Sequence, residues 1–325
     1  MEDAKNASAC EAHEPPFSGT LLQSLDLKGR FLFATLTLMT LIAHLVFLEE
    51  VFYIYRKIPS SKKSIFIWIN ASSPVIALTS CLGMWIPRST MFTDFAAAAF
   101  FAIVIHKFLL MMIKECGGQK MFLRRFEHGQ FKISTGPCCC CCFCLPFPRI
   151  TRGSLFWLKV GTFQLTVLQP VLIFLAIVLW TNGTYSVSDL SPRGAAVWLG
   201  GLGGVLTVIA LWPVGILFQH VRGLLAHKNI SPKFALFQFC LVLNHIQSAV
   251  FNVLAMVGTI SCSPPLPPSS KGAQMNQQLL ITEMFLMTLA SRVVYRKRYR
   301  DLDPPADPDP GPTDPAGGGG GVPRL

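Results

Sequence analysis

The chain has 325 residues, of which 14% are charged and 51% hydrophobic, with a net charge of +11 and a mean hydropathy of +0.47. Soluble domains carry about 25% charged residues, so the composition excludes a cytosolic enzyme, a secreted disulfide scaffold and a disordered regulator, and leaves a polytopic membrane protein. The basic excess is no nucleic-acid footprint, because Lys and Arg punctuate apolar runs instead of clustering on one soluble face.

Residues 1–30 read as an extracellular tail, polar up to Gln23, with no cleavable signal peptide. A membrane span needs about 20 mostly apolar residues to cross the hydrocarbon core. Seven runs qualify: 31–55, 65–87, 91–113, 155–181, 195–219, 234–260 and 277–295. They are continuously apolar instead of alternating, which favours helices over strands. The expected fold is an all-α membrane protein, a seven-transmembrane helix bundle. Segment 114–154 is then a basic, Cys-rich loop, and 296–325, with its Asp-Pro repeats and glycine run, a disordered tail.

Orientation follows from the connections. Those after the first, third, fifth and seventh runs hold 19 of the 28 basic residues, and the opposite set holds six. The positive-inside rule therefore places the N-terminus outside and the C-terminus in the cytosol. Both Asn-X-Ser/Thr acceptors, Asn6 and Asn182, then fall outside, where N-glycosylation occurs. Lys107, Lys159 and Arg292 lie near the cytosolic ends of their runs, within snorkelling reach of the headgroups.

Candidate chemistry is concentrated in a few places. Cys138, Cys139, Cys140, Cys141, Cys142 and Cys144 crowd into the basic loop beside aromatic and basic residues. Adjacent cysteines bridge poorly and the cytosol is reducing. The run contains no His and lacks spaced pairs, so no metal site is expected. Juxtamembrane cysteines of this kind suit S-palmitoylation.

Glu283 lies inside the seventh run and must find a donor, a proton or the bundle interior. Glu49 and Glu50, near the end of the first run, have Arg56 and Lys57 as neighbours to pair with. In the sixth run Asn244, Gln247, Ser248 and Asn252 stand at i, i+3, i+4 and i+8, on one helix face. Lipid cannot satisfy these amides, so the face is expected to meet protein, water or a solute. Trp212 offers an apolar wall to the same path. Pro74, Pro170 and Pro213 are expected to break their helices. Gly200 and Gly204 have the small-xxx-small spacing of a close helix contact, serving an internal neighbour or a partner subunit, a second copy included. No phosphate loop, zinc-protease or serine-hydrolase motif occurs, and neither an enzyme nor a cofactor is expected.

Five motifs recur in order: Leu82-Gly83-Met84-Trp85-Ile86-Pro87-Arg88-Ser89, Thr135-Gly136-Pro137 before the cysteine run, Lys233-Phe234-Ala235-Leu236-Phe237-Gln238, Cys262-Ser263-Pro264-Pro265, and Glu283-Met284-Phe285-Leu286-Met287-Thr288. Together they resemble the organic solute transporter alpha-subunit family, over roughly Phe31 to Tyr299. The resemblance implies a facilitative, bidirectional carrier of bile acids, conjugated steroids and related amphipathic anions at the basolateral plasma membrane. It also implies a small single-span beta subunit, without which the chain stays in the endoplasmic reticulum. The rival reading is a seven-span receptor or signalling scaffold with a lipidated cytosolic loop. Against it, the third run ends without an Asp-Arg-Tyr box and the seventh has no Asn-Pro-x-x-Tyr.

Overall fold

The computed structural model describes residues 15–127, 129–131, 149–185 and 194–296. The cysteine run, Asn6 and the C-terminal tail lie outside them. The described residues form an antiparallel helical array: α1 (Ser18–Ser24), α2 (Leu27–Lys57), α3 (Ser60–Asn70), α4 (Ser72–Trp85), α5 (Thr90–Glu115), α6 (Gln119–Arg125), α7 (Arg152–Thr181), α8 (Ala195–Val221), α9 (Ile230–Val242), α10 (Ser248–Met256) and α11 (Pro268–Arg296). Helix α3 continues into α4, and α9 reaches α10 through a π-helical turn, Leu243–Gln247. Six of the resulting helices are long and apolar enough to cross a membrane: Leu27–Lys57, Ser60–Trp85, Pro87–Glu115, Arg152–Thr181, Ala195–Val221 and Ile230–Met256. The protein is therefore a multi-pass membrane protein.

Helix α11 is not among the six, and its place in the bundle explains why. It packs against α2, α4, α9 and α10, burying Gly272, Asn276, Gln277, Leu280, Ile281, Met284, Met287, Thr288 and Tyr295. Asn276, Gln277 and Thr288 lie on the face that meets these helices, while Leu279, Leu286 and Val293 are exposed, so the helix is apolar on its outer side without the all-round apolar surface of a helix that lipid surrounds. The peripheral helices show the complement. Leu38, Leu41, Leu45 and Phe52 on α2, Phe174 on α7, Val205 and Val208 on α8, and Val250 and Val253 on α10 are all at least half exposed. Contiguous apolar surface of this extent is foreign to soluble monomers and suits acyl chains.

Lipid is as apolar as leucine, so the bundle gains little from apolar burial itself and relies on packing, interhelical hydrogen bonds and ion pairs. The centre is a stack of rings: Phe237 lies 4.4 Å from Phe108 and 5.8 Å from Phe101, while Phe218 of α8 stacks on Phe234 of α9 at 3.9 Å. Gly161 lets α7 close on α8, since a Cβ there would stand 3.0 Å from the Pro213 ring.

Of the three prolines expected to break helices, only Pro74 accompanies a break. Helix α3 ends at Asn70 and α4 starts at Ser72, where Pro74 lacks the N–H that would bond the Asn70 carbonyl. Pro170 and Pro213 sit inside continuous helices, each costing its helix one hydrogen bond without interrupting it.

The two ends of the bundle differ. At one, Arg88 Nε donates to the Pro15 carbonyl at 3.0 Å and its guanidinium covers the Phe17 ring at 3.5 Å. Here Leu21, Leu25, Phe33, Trp85 and Leu266 form a small apolar cluster. At the other, buried Glu115 accepts from Lys62 at 3.1 Å and lies 3.4 Å from Lys228, joining α3, α5 and the approach to α9. Lys233, only 1% exposed, sits beneath the rings of Phe66 and Tyr295.

Glu49 and Glu50 also lie at this end, but they do not pair with Arg56 and Lys57 of their own helix. Glu49 bonds Arg292 at 2.7 Å and Arg296 at 3.2 Å, and Glu50 bonds Arg296 at 2.7 Å. Arg56 instead covers the Phe52 ring. Arg292 is thus an ion-pair partner, and Lys159 donates to Gln119 of α6 at 2.7 Å.

Candidate functional site

The polar residues of the sixth span fall on its most irregular part. Asn244, His245 and Gln247 belong to the π-helical turn Leu243–Gln247. Such turns are rare, and they recur at functional sites because the widened loop of backbone re-aims side chains and frees carbonyls. One extra residue in a turn rotates everything after it by roughly 100°. The face drawn from Asn244 to Asn252 on ideal spacing therefore shifts within the turn, with Asn244 before the shift and Ser248 and Asn252 together after it. Asn244, Gln247 and Ser248 remain half-buried, whereas Asn252 is exposed.

Gln247 turns toward α11. With its amide nitrogen facing Glu283 it donates to both carboxylate oxygens, at 2.8 and 3.1 Å, and the terminal amide of Asn276 lies 3.2 Å from its carbonyl oxygen. Glu283 has thus found the donor that an acid inside a membrane requires. One helical step from Asn276, Gln277 donates to Asp94 of α5 at 2.8 Å. The Oε1 of Gln277 is buried with no partner. Gly83 makes room for this side chain, since a Cβ there would stand 3.3 Å from the Gln277 amide and 3.1 Å from the Thr93 hydroxyl.

These contacts form a seam of amides and carboxylates through three elements: Asp94 on α5, Gln277, Asn276 and Glu283 on α11, and Gln247 in the π-helical turn. Asn276, Gln277 and Asp94 were not singled out from sequence. Asp94 carried a readable signal, a lone acid inside the third apolar run. The two amides sit at the start of the seventh run, where polar residues pass for a helix end.

On the side of the sixth span away from α11, a shallow groove of about 380 Å³ is lined by His245, Ile246, Ala249, Val250, Val253 and Leu254. The His245 ring meets Phe101 edge-on at 6.2 Å. Only 11% of the most apolar stretch of this span is buried, against 61% for Ser60–Trp85. The polar turn therefore lies on a helix that one face ties to the bundle and the other presents outward.

Two candidates stand apart from the seam. Trp212 packs against the central apolar cluster on α8, a helix whose main contacts are α7 and α5, and it is not brought to Gln247 or Glu283. Gly200 and Gly204 meet nothing: a Cβ at either would have no atom within 4 Å. Their close-packing surface has no internal neighbour among the described residues. Asn182 is exposed at the C-terminal end of α7.

Comparison with known proteins decides what kind of membrane protein carries this seam. The family model for organic solute transporter Ostalpha matches residues 32–301. The chain belongs to the organic solute transporter alpha family. Proteins named organic solute transporter subunit alpha are similar over nearly the whole chain. The one from Danio rerio is 52% identical over 298 residues, covering 92% of this chain and 91% of its own. That from Leucoraja erinaceus is 41% identical over 300 residues, covering 92% and 85%. That from Homo sapiens is 36% identical over 292 residues, covering 90% and 86%. No solved structure matches the chain. The family is one of solute transporter subunits, not of enzymes, and an alpha subunit implies a partner subunit.

Proposed function

We propose that this chain is the alpha subunit of a facilitative transporter that passes bile acids, conjugated steroids and related amphipathic anions across the basolateral plasma membrane. Membership of the organic solute transporter alpha family is the observation that carries the reading, since the relatives bear that name over nine-tenths of this chain. In this reading α11 is a seventh span, the Arg88 end faces outside and the Glu115 end faces the cytosol, as the distribution of basic residues favours. A single-span beta subunit completes the complex and releases it from the endoplasmic reticulum.

The seam and the groove supply the chemistry such a solute needs. A steroid's ring system is apolar along its length and polar at a few hydroxyls. The groove of Ile246, Val250, Val253 and Leu254 offers the first surface, and on the α11-facing side of the same helix Gln247 and Glu283, with Asn244 in the same turn, offer hydrogen-bonding partners. Downhill exchange requires no nucleotide, in keeping with a chain that contains no phosphate loop.

Co-expression with the beta subunit tests the reading. Taurocholate or estrone-sulfate flux is expected only with both chains, and Asn244→Ala with Gln247→Ala is expected to lower it by roughly fivefold or more at unchanged surface amount, the loss of one or two net hydrogen bonds. Undiminished flux in the double variant removes the site. G-protein activation without flux would replace transport by the receptor reading.

We also propose that Cys138 to Cys142 and Cys144 are S-acylated. The two sides of that segment meet at the Gln130–Arg149 backbone pair, beside α6 and the start of α7, so acyl chains placed there would enter the adjacent leaflet. Cys116 is a poor acceptor, because burial pushes its thiol up to about 11 and the nucleophile is the thiolate. Acyl exchange is expected to give a hydroxylamine-sensitive signal that disappears when all six are changed to Ser. A signal that survives the change would place the lipid elsewhere.

A further inference from the structure

The charges at the Glu115 end of the bundle sort into two groups. In the first, acids and bases are matched: Glu49 and Glu50 hold Arg292 and Arg296, and Glu115 holds Lys62 and Lys228. The second group is a basic excess. Over the described residues from 119 to 159, six basic side chains stand against one acid, Glu127. Five of the six are exposed: Lys120, Arg124 and Arg125 on α6, Arg149 before α7, and Arg152 in its first turn. None of these five forms an ion pair among the described residues.

The fold gathers them into one patch. Phe122 is fully buried and anchors α6, and Lys159 of α7 donates to Gln119 at the start of α6. Past α6, the Gly129 carbonyl accepts from the Ile150 N–H at 3.0 Å and Gln130 pairs with Arg149. Thr151 and Ser154 then close a capping box on α7. The end of α6 and the start of α7 are therefore side by side. A surface cavity of about 320 Å³ opens here, lined by Arg124, Arg125, Phe126, Glu127 and Gly129, at the lower end of the ~300–1,000 Å³ typical of small-ligand sites.

Two neighbouring arginines suit a ligand with several phosphates, since each guanidinium can take two phosphate oxygens in parallel. Glu127 opposes any anion, which disfavours a singly charged one. Arg124 and Arg125 outweigh it, and Lys120, Arg149 and Arg152 add to the field of the patch. The depth of the patch favours a lipid over a soluble phosphate. Phe156 and Trp157 follow Arg152 by four and five residues, about 6–8 Å further along α7, and are 60% and 70% exposed. Exposed aromatic rings at the end of a span sit where headgroups give way to acyl chains. A lipid whose phosphates meet Arg124 and Arg125 has these rings at the depth of its glycerol.

We propose that the end of α6 and the start of α7 bind an inositol phospholipid carrying ring phosphates, held through Arg124 and Arg125. Its phosphates neutralise basic residues that otherwise repel one another. Such lipids belong to the cytosolic leaflet, which is the leaflet at this end in the orientation proposed above. The binding itself depends neither on that orientation nor on the solute carried.

The test titrates the full chain, purified with its partner subunit in detergent, into fluorescent dioctanoyl phosphatidylinositol bisphosphate and follows anisotropy. Saturable binding is expected, weakened by roughly tenfold or more in Arg124→Gln with Arg125→Gln. Arg56→Gln with Lys57→Gln removes two exposed charges from the same end and is expected to leave the affinity unchanged. All four residues are exposed, so every variant is expected to elute as one peak on size exclusion. Absence of saturable binding, or equal weakening by the two double variants, overturns the site and leaves only a general attraction between a basic end and anionic lipid. Competition by inositol trisphosphate as strong as by the unlabelled short-chain lipid gives the cavity to a soluble phosphate instead. Equal competition by dioctanoyl phosphatidylserine removes the inositol headgroup. Taurocholate flux is measured separately, and its absence with intact lipid binding would remove the transport reading alone.

Discussion

Glu283→Leu is expected to lower sterol-anion flux by roughly tenfold or more at unchanged surface amount, because a hydrogen bond to a charged group contributes about 1.5–3 kcal/mol and Leu offers none. The substitution acts twice. It removes the acceptor that half-buried Glu283 presents, and it releases the Gln247 amide, which donates to both carboxylate oxygens. The widened π-helical turn is then free to re-aim its side chains toward the groove. Glu283→Gln separates the two effects, since its amide oxygen still accepts from Gln247 while the charge is gone. Retained flux in Gln with lost flux in Leu points to hydrogen bonding; loss in both points to charge. Surface biotinylation alongside initial-rate uptake makes the comparison, and normal uptake per surface molecule in the Leu variant would remove Glu283 from the path.

Hydropathy made the membrane character and most helices legible, because a span is a local property: twenty consecutive residues carry it. What it could not carry is who sits beside whom. Glu49 and Glu50 have basic neighbours a turn or two further along their own helix, yet the structure pairs them with Arg292 and Arg296, more than 240 residues away. The start of α11 was hidden for a related reason. Pro268 to Asn276 is mostly polar and only Gly272 and Asn276 in it are buried, and polar residues beside an apolar run look like a loop. The π-helical turn has no composition of its own. On ideal spacing Asn252 joined the polar face of Asn244 and Gln247; in the structure the turn shifts that spacing and Asn252 is exposed.

Residues chosen for type alone fared least evenly. Glu283 and Gln247, each costly to leave unpaired in lipid, found one another. Trp212 and the Gly200–Gly204 pair, whose chemistry makes no such demand, took places apart from the seam. An unsatisfied polar group constrains its surroundings, whereas an indole or a glycine accepts many. The cost of leaving a group alone therefore constrains where it sits in a membrane chain more tightly than its functional associations do.

The same cost predicts the largest change in stability. Glu50 is 4% exposed, and its carboxylate accepts from Arg296, whose guanidinium also covers the Tyr53 ring at 4.8 Å. Arg296→Leu leaves that acid buried without its partner, a loss of about 3–5 kcal/mol for a fully buried pair. The Arg296 side chain is 26% exposed, which favours the lower figure and a fall in melting temperature of roughly 5–10 °C. Glu50→Leu together with Arg296→Leu removes both charges from the contact between α2 and α11. Apolar replacement of a whole buried pair is close to neutral, so the double variant is expected to recover most of the loss, with Glu49 still held by Arg292. Thermal unfolding in detergent, followed by size-exclusion fluorescence, completes the cycle. A double variant no more stable than Arg296→Leu would mean that the arginine acts through packing on Tyr53 and its neighbours, and that compensating the buried Glu50 is not its role.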